Sequence, residues 1–170
     1  METPKKDFNM LAEMERTYFR FLTSNDAQAL FAIYSDKDAM QYRTTLPFET
    51  MEEVQTYLEQ VERENASGKK FRCGFVHRET QQLMGTAVYT LVDDTAAEIG
   101  FSIGRAFWKG GYGTEGTLGL IELIKQQHPQ VKRILAVAQT PNEKSVRMIN
   151  RMNFSFIEAK ENKSYFEYFL

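Results

Sequence analysis

The feature that most constrains this fold is a group of three glycines within four residues, placed between a strand-like run and a helix-like run. Residues 108–114 read Trp-Lys-Gly-Gly-Tyr-Gly-Thr, after the strand-like run 96–104 and at the start of the apolar-rich run 113–127. First-turn amides of a helix lack intrahelical partners, and the helix dipole favours negative charge near them. We therefore predict an anion-binding site at a helix N-terminus, in preference to a glycine loop that serves only as a tight turn.

Two well-known phosphate motifs do not account for this loop. The string from Gly111 to Gly116 matches the dinucleotide pattern G-x-G-x-x-G, but such a site needs an acidic residue about 20 positions further on. Residues 133 and 136–139 are instead Arg, Ala, Val, Ala and Gln. A P-loop needs Lys directly after its last glycine, whereas Lys109 precedes the glycines. A different family of phosphate-binding proteins is indicated.

Composition limits the classes of protein that remain. A chain of 170 residues with 42% apolar and 26% charged residues fits one globular domain over 1–170. A net charge of −2 argues against nucleic acid as a partner. Cys73 is the lone cysteine, and His77 and His128 are far apart in the sequence, so we expect no disulfide and no metal site. Residues 1–9 lack an apolar signal core, and no segment approaches a membrane span. We therefore expect a cytoplasmic protein.

Periodicity and capping signals predict alternating strands and helices along the chain. The aromatic-rich run 18–22 predicts a strand, and Thr23 to Asp26 offers caps for a helix that carries Ala27, Leu30, Phe31 and Tyr34. A capping box at Thr50 to Glu53 opens a second helix, which ends near Gly68. Further on we predict an antiparallel meander of strands at 71–77, 84–92 and 96–104, then a helix at 113–127, a strand at 133–138, a helix at 143–152, and strands at 154–158 and 164–170. The segment 36–48 has no clear period; such loops often line sites, although aromatic residues like its own are more often packed.

The glycine loop and three other blocks resemble the GNAT N-acetyltransferases, particularly the branch of the ribosomal-protein N-terminal acetyltransferases. Residues 108–115 are similar to the acyl-CoA pyrophosphate loop of that family. The other blocks, in chain order, are 15–22 with Asp26, then 96–101, and then Asn142 to Ser145 followed by Asn153-Phe154. The resemblance covers about residues 15–160. Two positions depart from the family pattern: the usual Gly-Lys-Gly order is Lys109-Gly110-Gly111 here, and Asn153 replaces a glycine, although Asn tolerates a left-handed conformation.

The resemblance implies an α/β (α+β) fold, with a mixed, mostly antiparallel central sheet flanked by helices, and acetyl-CoA as cosubstrate without a metal. It implies direct transfer of the acetyl group, in a ternary complex, to a primary amine of a protein N-terminus or a small molecule. The pyrophosphate would lie on the loop, the pantetheine arm beside the strand 96–104, and the thioester where that strand and the strand 133–138 separate. The implied cofactor-binding residues are Phe101, Ile103, Lys109, Gly110, Gly111, Tyr112, Gly113, Thr114, Asn142 and Ser145.

Two residues are candidates for the catalytic chemistry. Glu98 shares one strand face with Gly100 and Ser102, so it can point into a cleft and act as a base through a water, or it can be an ordinary exposed strand carboxylate. The family often supplies a tyrosine to protonate the departing thiolate, but Ile149 stands at the matching position. The resemblance therefore favours Ser145 as the proton donor. Asn142 is expected to cap the same helix whatever the protein does.

The acceptor is not fixed by the sequence. Keeping a lysine-like amine neutral at pH 7 costs about 4.6 kcal/mol, whereas an α-amine costs about 1.4 kcal/mol. A single candidate carboxylate therefore favours an α-amine or another amine of low pKa. Protein N-termini, polyamines, amino acids and aminoglycoside-like molecules all remain open as acceptors, as does a monomer or a homodimer. The alternative function is a non-catalytic acyl-CoA-binding sensor.

Overall fold

One mixed sheet of eight strands organises the chain. The computed structural model describes residues 10–170. The strands are β1 (Met10–Glu13), β2 (Thr17–Arg20), β3 (Lys70–His77), β4 (Leu83–Asp93), β5 (Ala96–Ile103), β6 (Arg133–Gln139), β7 (Ser155–Lys160) and β8 (Lys163–Phe169). The helices are α1 (Ala27–Tyr34), α2 (Met51–Ala66), α3 (Tyr112–Gln127) and α4 (Glu143–Arg151).

The sheet is mostly antiparallel, with a single parallel pair at its centre. The strand order is β1-β2-β3-β4-β5-β6-β8-β7. Strands β1 to β5 pair antiparallel in sequence order, β5 and β6 pair in parallel, and β8 pairs antiparallel with both β6 and β7. A parallel pair requires a crossover connection, and α3 provides it. The predicted fold, a mixed and mostly antiparallel sheet flanked by helices, is confirmed.

The sheet lies between two helical layers, each with its own apolar core. On one face α3 covers a core that includes Phe75, Leu120, Ile124 and Phe166. On the other face α1 and α2 enclose a smaller core of Leu30, Tyr34, Met40, Val54, Val76 and Leu83. Helix α3 approaches the sheet closely at Gly116, where an added Cβ would lie 2.8 Å from the Phe101 ring. Alternate residues of the central strands therefore face different helical layers.

The predicted elements agree with the structure except at the N-terminal edge. The expected meander is present, and Gly68 and Asn153 have the left-handed φ values of 73° and 65° that a helix-ending residue often adopts. Strand β1 was not predicted, because its sequence Met-Leu-Ala-Glu has no clear alternation and its residues are only partly buried. Within residues 10–170, no helix is both long enough and apolar enough to cross a bilayer. The polar run 1–9, for which we expected no signal core, lies outside the described residues.

Candidate active site

The central parallel pair separates halfway along its length and opens a cleft in the sheet. The register of β5 and β6 ends at the pair Ile99 and Ala136. Beyond that point β5 stays paired with β4 as far as Ile103, while β6 stays paired with β8 as far as Gln139. The facing backbone edges of β5 and β6 are thus free to bind an extended ligand through hydrogen bonds.

The N-terminus of α3 lies at the open end of this cleft. An added Cβ at Gly113 would lie 2.8 Å from Sδ of Met148 in α4 and 3.9 Å from Cδ1 of Ile103 at the end of β5. Three elements of the site therefore meet at this glycine. The N-cap of α3 is Gly111, which has a φ of 73° and offers no side-chain cap. In contrast, Thr50 caps α2 and Asn142 caps α4 through their side chains.

An uncapped start leaves the first amides of α3 available to an anion. Lys109, Gly111 and Thr114 are exposed around them, and Gly110, Tyr112 and Gly113 are partly exposed. The structure thus brings together the predicted loop residues as an open helix start. They meet Ile103 at the junction with β5, and Phe101 lies two residues earlier on the same strand.

A clamp from the start of β2 holds this helix start in place. The Arg16 side chain donates to Glu115 Oε1 from Nε at 3.1 Å and to the carbonyl oxygen of Gly110 from Nη1 at 2.6 Å. Its guanidinium also lies 4.5 Å from the centroid of the Tyr112 ring, and the Thr17 hydroxyl donates to Glu115. A carboxylate in the first turn suits the helix dipole. Contacts within the protein thus support the loop at both its backbone and its first helical turn.

Sequence reasoning missed this clamp. Arg16 and Thr17 belonged to a block used only to identify the family. Nothing in their local pattern marks a partner 99 positions away at Glu115.

The aromatic residues of the loop contact neighbouring elements, although Trp108 stays 41% exposed. Trp108 donates from Nε1 to the carbonyl oxygen of Ile103 at 2.8 Å, and Lys144 lies 4.9 Å above its ring. The Tyr112 ring meets His77 edge-on at 5.7 Å. These contacts tie the loop to β5, to β3 and to the start of α4.

Glu98 lies beside the point where the strands separate. It pairs in register with Thr90 of β4 and Leu135 of β6, one residue before the last β5 and β6 pair. Its side chain is exposed, whereas its neighbours Ala97 and Ile99 are buried toward α3. Glu98 therefore faces the α1 and α2 side of the sheet, together with Gly100 and Ser102.

The start of α4 lies near the loop, where Lys144 Nζ is 4.9 Å from the centroid of the Trp108 ring. Asn142 Oδ1 accepts a hydrogen bond from the Ser145 backbone amide at 3.4 Å, so the expected N-cap is confirmed. The Ser145 side chain is partly exposed, whereas Ile149 one turn later is buried in the core. A buried aliphatic side chain at this place has no proton to give.

Replacing Asn142 with alanine is expected to lower the free energy of unfolding by about 1 kcal/mol, because it removes the N-cap of α4. Ser145→Ala is the matched control, since it leaves the capping oxygen and the Ser145 amide intact. Urea denaturation of the two variants measures the difference. Equal stability of Asn142→Ala and the unmodified protein would show that this hydrogen bond does not support the helix.

A sheet that opens at its centre beside an uncapped helix start forms a site for an extended ligand that carries an anionic group. A family model described as an acetyltransferase (GNAT) domain matches residues 16–155, and the chain therefore belongs to the GNAT acetyltransferase family. This confirms the family that the sequence motifs indicated.

Three comparisons illustrate this relationship. The uncharacterized N-acetyltransferase p20 of Bacillus licheniformis is 25% identical over 142 residues, which are 82% of this chain and 79% of that protein. The ribosomal alpha-N-protein acetyltransferase RimL has a similar structure, with a TM-score of 0.83 at 12% identity over 95% of this chain and 94% of that one. The microcin C7 self-immunity acetyltransferase MccE, solved with acetyl-CoA and AMP, gives a TM-score of 0.79 at 15% identity over 92% and 94% of the two chains. The chain is an acetyl-CoA-dependent acetyltransferase.

Proposed function

We propose that this protein transfers the acetyl group of acetyl-CoA directly to a primary amine in a ternary complex. The observation that carries the proposal is the cleft between β5 and β6, which opens onto the uncapped start of α3. The pyrophosphate would be held by the loop from Lys109 to Thr114, and each charged hydrogen bond there is worth about 1.5–3 kcal/mol. The backbone of Phe101 and Ile103 lies on the free edge of β5 and would hold the pantetheine arm, with Asn142 and Ser145 on the opposite wall.

Direct transfer is supported by the burial of Cys73 and by the raised pKa of its thiol. Cys73 is fully buried under α3, and burial raises the pKa of its thiol to about 12. The thiolate, which is the nucleophilic form, is therefore almost unpopulated at neutral pH. A covalent acetyl-cysteine on this residue is disfavoured, and the amine itself would attack the thioester that acetyl-CoA supplies.

Glu98 is proposed as the base that removes the proton from the amine, through a water. It is exposed beside the strand separation, on the face opposite α3. The layer on that face, formed by α1, α2 and the segment 36–48, would then border the acceptor. One carboxylate suits an α-amine, whose deprotonation at pH 7 costs only about 1.4 kcal/mol. RimL, whose structure this chain resembles, is an alpha-N-protein acetyltransferase, which is consistent with such an acceptor.

Ser145→Ala is expected to slow acetyl transfer about 100-fold, because general acid catalysis typically contributes at least that factor. The position occupied by Ile149 offers no substitute proton, since its side chain is aliphatic and buried. Single-turnover kinetics with acetyl-CoA measures the step, and Ser145→Thr, which keeps the hydroxyl, should retain part of the rate. Full turnover in Ser145→Ala would mean that the thiolate takes its proton from water.

A thiol-release assay with acetyl-CoA across a panel of amines tests the proposed function. The panel contains a peptide with a free N-terminus, a free amino acid, a polyamine and an aminoglycoside. Release that depends on an amine supports the transferase. Tight binding of CoA with no release from any amine would favour the alternative, a non-catalytic acyl-CoA sensor.

A further inference from the structure

Two arginines lie over two adjacent tyrosines, Tyr34 and Tyr57, on the face of the sheet that Glu98 shares. Tyr34 is 2% exposed, and its hydroxyl is hydrogen-bonded to Thr86 Oγ1 at 2.5 Å. The guanidinium carbon of Arg43 lies 4.9 Å from the centroid of the Tyr34 ring. The guanidinium of Arg72 lies 5.7 Å from the Tyr57 ring, and its Nη1 is 3.5 Å from Thr86 Oγ1. We call these five residues the arginine pocket.

The charges of this pocket are not neutralised within the part of the chain that the structure describes. The Nε atoms of Arg43 and Arg72 are both buried and lack a hydrogen-bond acceptor among residues 10–170. Six other arginines are bound by carboxylates, as Arg20 is by Asp26 at 2.8 Å. An unsatisfied buried donor costs about 1–3 kcal/mol, and more if it is charged. Such a cost needs an explanation.

The two arginines also act on the hydroxyl of Tyr34. Burial alone would raise the pKa of Tyr34, but the charges of Arg43 and Arg72, together with hydrogen bonds to Thr86 and Tyr57, hold this pKa below its ordinary value. The charge of Arg72 is also one of the causes that lower the pKa of Glu64. The Glu64 carboxylate, however, is bound by Lys70 Nζ at 3.0 Å. Glu64 therefore does not fill the pocket.

The pocket lies next to the cleft. Thr86 pairs in register with Ser102, and Arg72 is connected through Val88 to Gly100. Gly100 and Ser102 belong to the part of β5 that has separated from β6. Neighbouring strands are about 4.8 Å apart, so the pocket lies about one to two strand spacings from the cleft, and the side chains of Arg43 and Arg72 are partly exposed.

The segment 36–48, which carries Arg43, is held at both ends by hydrogen bonds to neighbouring elements. Asp36 and Asp38 are bound by Arg105, which lies just beyond β5, and the Asp38 contact measures 3.1 Å. At the other end the Phe48 amide donates to the carbonyl oxygen of Tyr34 at 2.9 Å. The guanidinium of Arg43 is thus held over the face from which an acceptor would approach.

We propose that the arginine pocket binds an oxyanion, a carboxylate or a phosphate, carried by the amine acceptor. The inference rests on the proposed function and narrows its substrate class to amines with an anionic group. Guanidinium groups bind such oxyanions through strong charge-assisted hydrogen bonds. Polyamines and aminoglycosides bring further positive charge and would be rejected by repulsion.

Calorimetry of the CoA-saturated protein with matched acceptor pairs tests the pocket independently of turnover. The pairs are methionine and methioninamide, Ser-Asp amide and Ser-Asn amide, and phosphoethanolamine and ethanolamine, with spermidine as the cationic acceptor. They separate an α-carboxylate, a side-chain carboxylate and a phosphate as sources of the charge. We expect the anionic member of at least one pair to bind at least ten times more tightly than its neutral partner.

Charge-removing variants complete the test. Arg43→Gln and Arg72→Gln should bring the ratio of the two affinities within a pair close to one. Arg43→Lys, which keeps the charge, should keep part of this preference. Arg63→Gln is the control, at an exposed position on α2, and should leave the ratio unchanged. If Arg72→Gln does not fold, Arg43→Gln decides alone. Equal binding within every pair, tightest binding of spermidine, or a preference that survives both variants would overturn the proposal. Thiol release measured in parallel tests the transferase separately, since anion preference without release would refute only the proposed function.

Discussion

Gly113→Val is expected to lower the affinity for acetyl-CoA at least about 100-fold. The new side chain would project into the junction of α3, β5 and α4, where Met148 and Ile103 already lie close to this glycine. Loss of two hydrogen bonds to the pyrophosphate at about 1.5 kcal/mol each accounts for a factor of this size. Isothermal titration calorimetry measures the change. The fold should tolerate the substitution, because the nearest atom belongs to a flexible methionine side chain.

A pair of alanine variants separates an effect on the ligand from backbone strain. Gly111 and Gly68 have the same left-handed φ of 73°, but only Gly111 lies at the start of α3. Alanine at either position should cost about 1–2 kcal/mol of stability. Only Gly111→Ala should also weaken the binding of acetyl-CoA. Unchanged affinity in both Gly113→Val and Gly111→Ala would show that the loop is merely a turn.

Glu98→Gln is expected to lower kcat/KM at least about 100-fold below neutral pH while the affinity for acetyl-CoA stays unchanged. A general base typically contributes factors of about 10² to 10⁴. The defect should shrink as the pH rises toward about 8, because an α-amine then loses its proton without help. The measurement is a pH–rate profile from pH 6 to 9 with one amine acceptor.

Glu79→Gln is the matched control for this change. Glu79 is exposed in the turn between β3 and β4, so the same loss of charge there should leave the profile as it was. A constant ratio of Glu98→Gln to unmodified rates across the pH range would contradict a role as base. Glu98 would then act through binding or position, and the base would lie elsewhere.

Capping residues and apolar spacing predicted most of the fold, because each of these signals lies within a single helix or strand. The capping box at Thr50 and the helical spacing of Leu30 and Tyr34 define helices regardless of what surrounds them. Strand β1 was missed because its pairing, rather than its sequence pattern, makes it a strand. The position of β6 between β5 and β8 is likewise a property of the assembled sheet.

Some features of the candidate site could likewise be predicted from the sequence, and others could not. The uncapped start of α3 and the N-cap Asn142 follow from residue types and spacing. The clamp of Arg16 on Glu115 and the arginine pocket do not, since each joins residues far apart in the chain. Arg43 lies in a segment without periodicity and Arg72 in an ordinary strand pattern. Only the structure shows that they lie over two adjacent tyrosines, Tyr34 and Tyr57.

The Arg16 clamp also relates folding to the supply of cosubstrate. Because Arg16 and Glu115 are 99 positions apart, their contact can form only once the N-terminal strands have docked, and such long-range contacts form slowly. Acetyl-CoA would then stabilise the completed chain and not its partly folded forms. At a concentration 100 times its dissociation constant, a ligand of this kind adds about 2.7 kcal/mol to the free energy of unfolding. In a cell short of acetyl-CoA, this protein would therefore be lost faster to degradation as well as being less active.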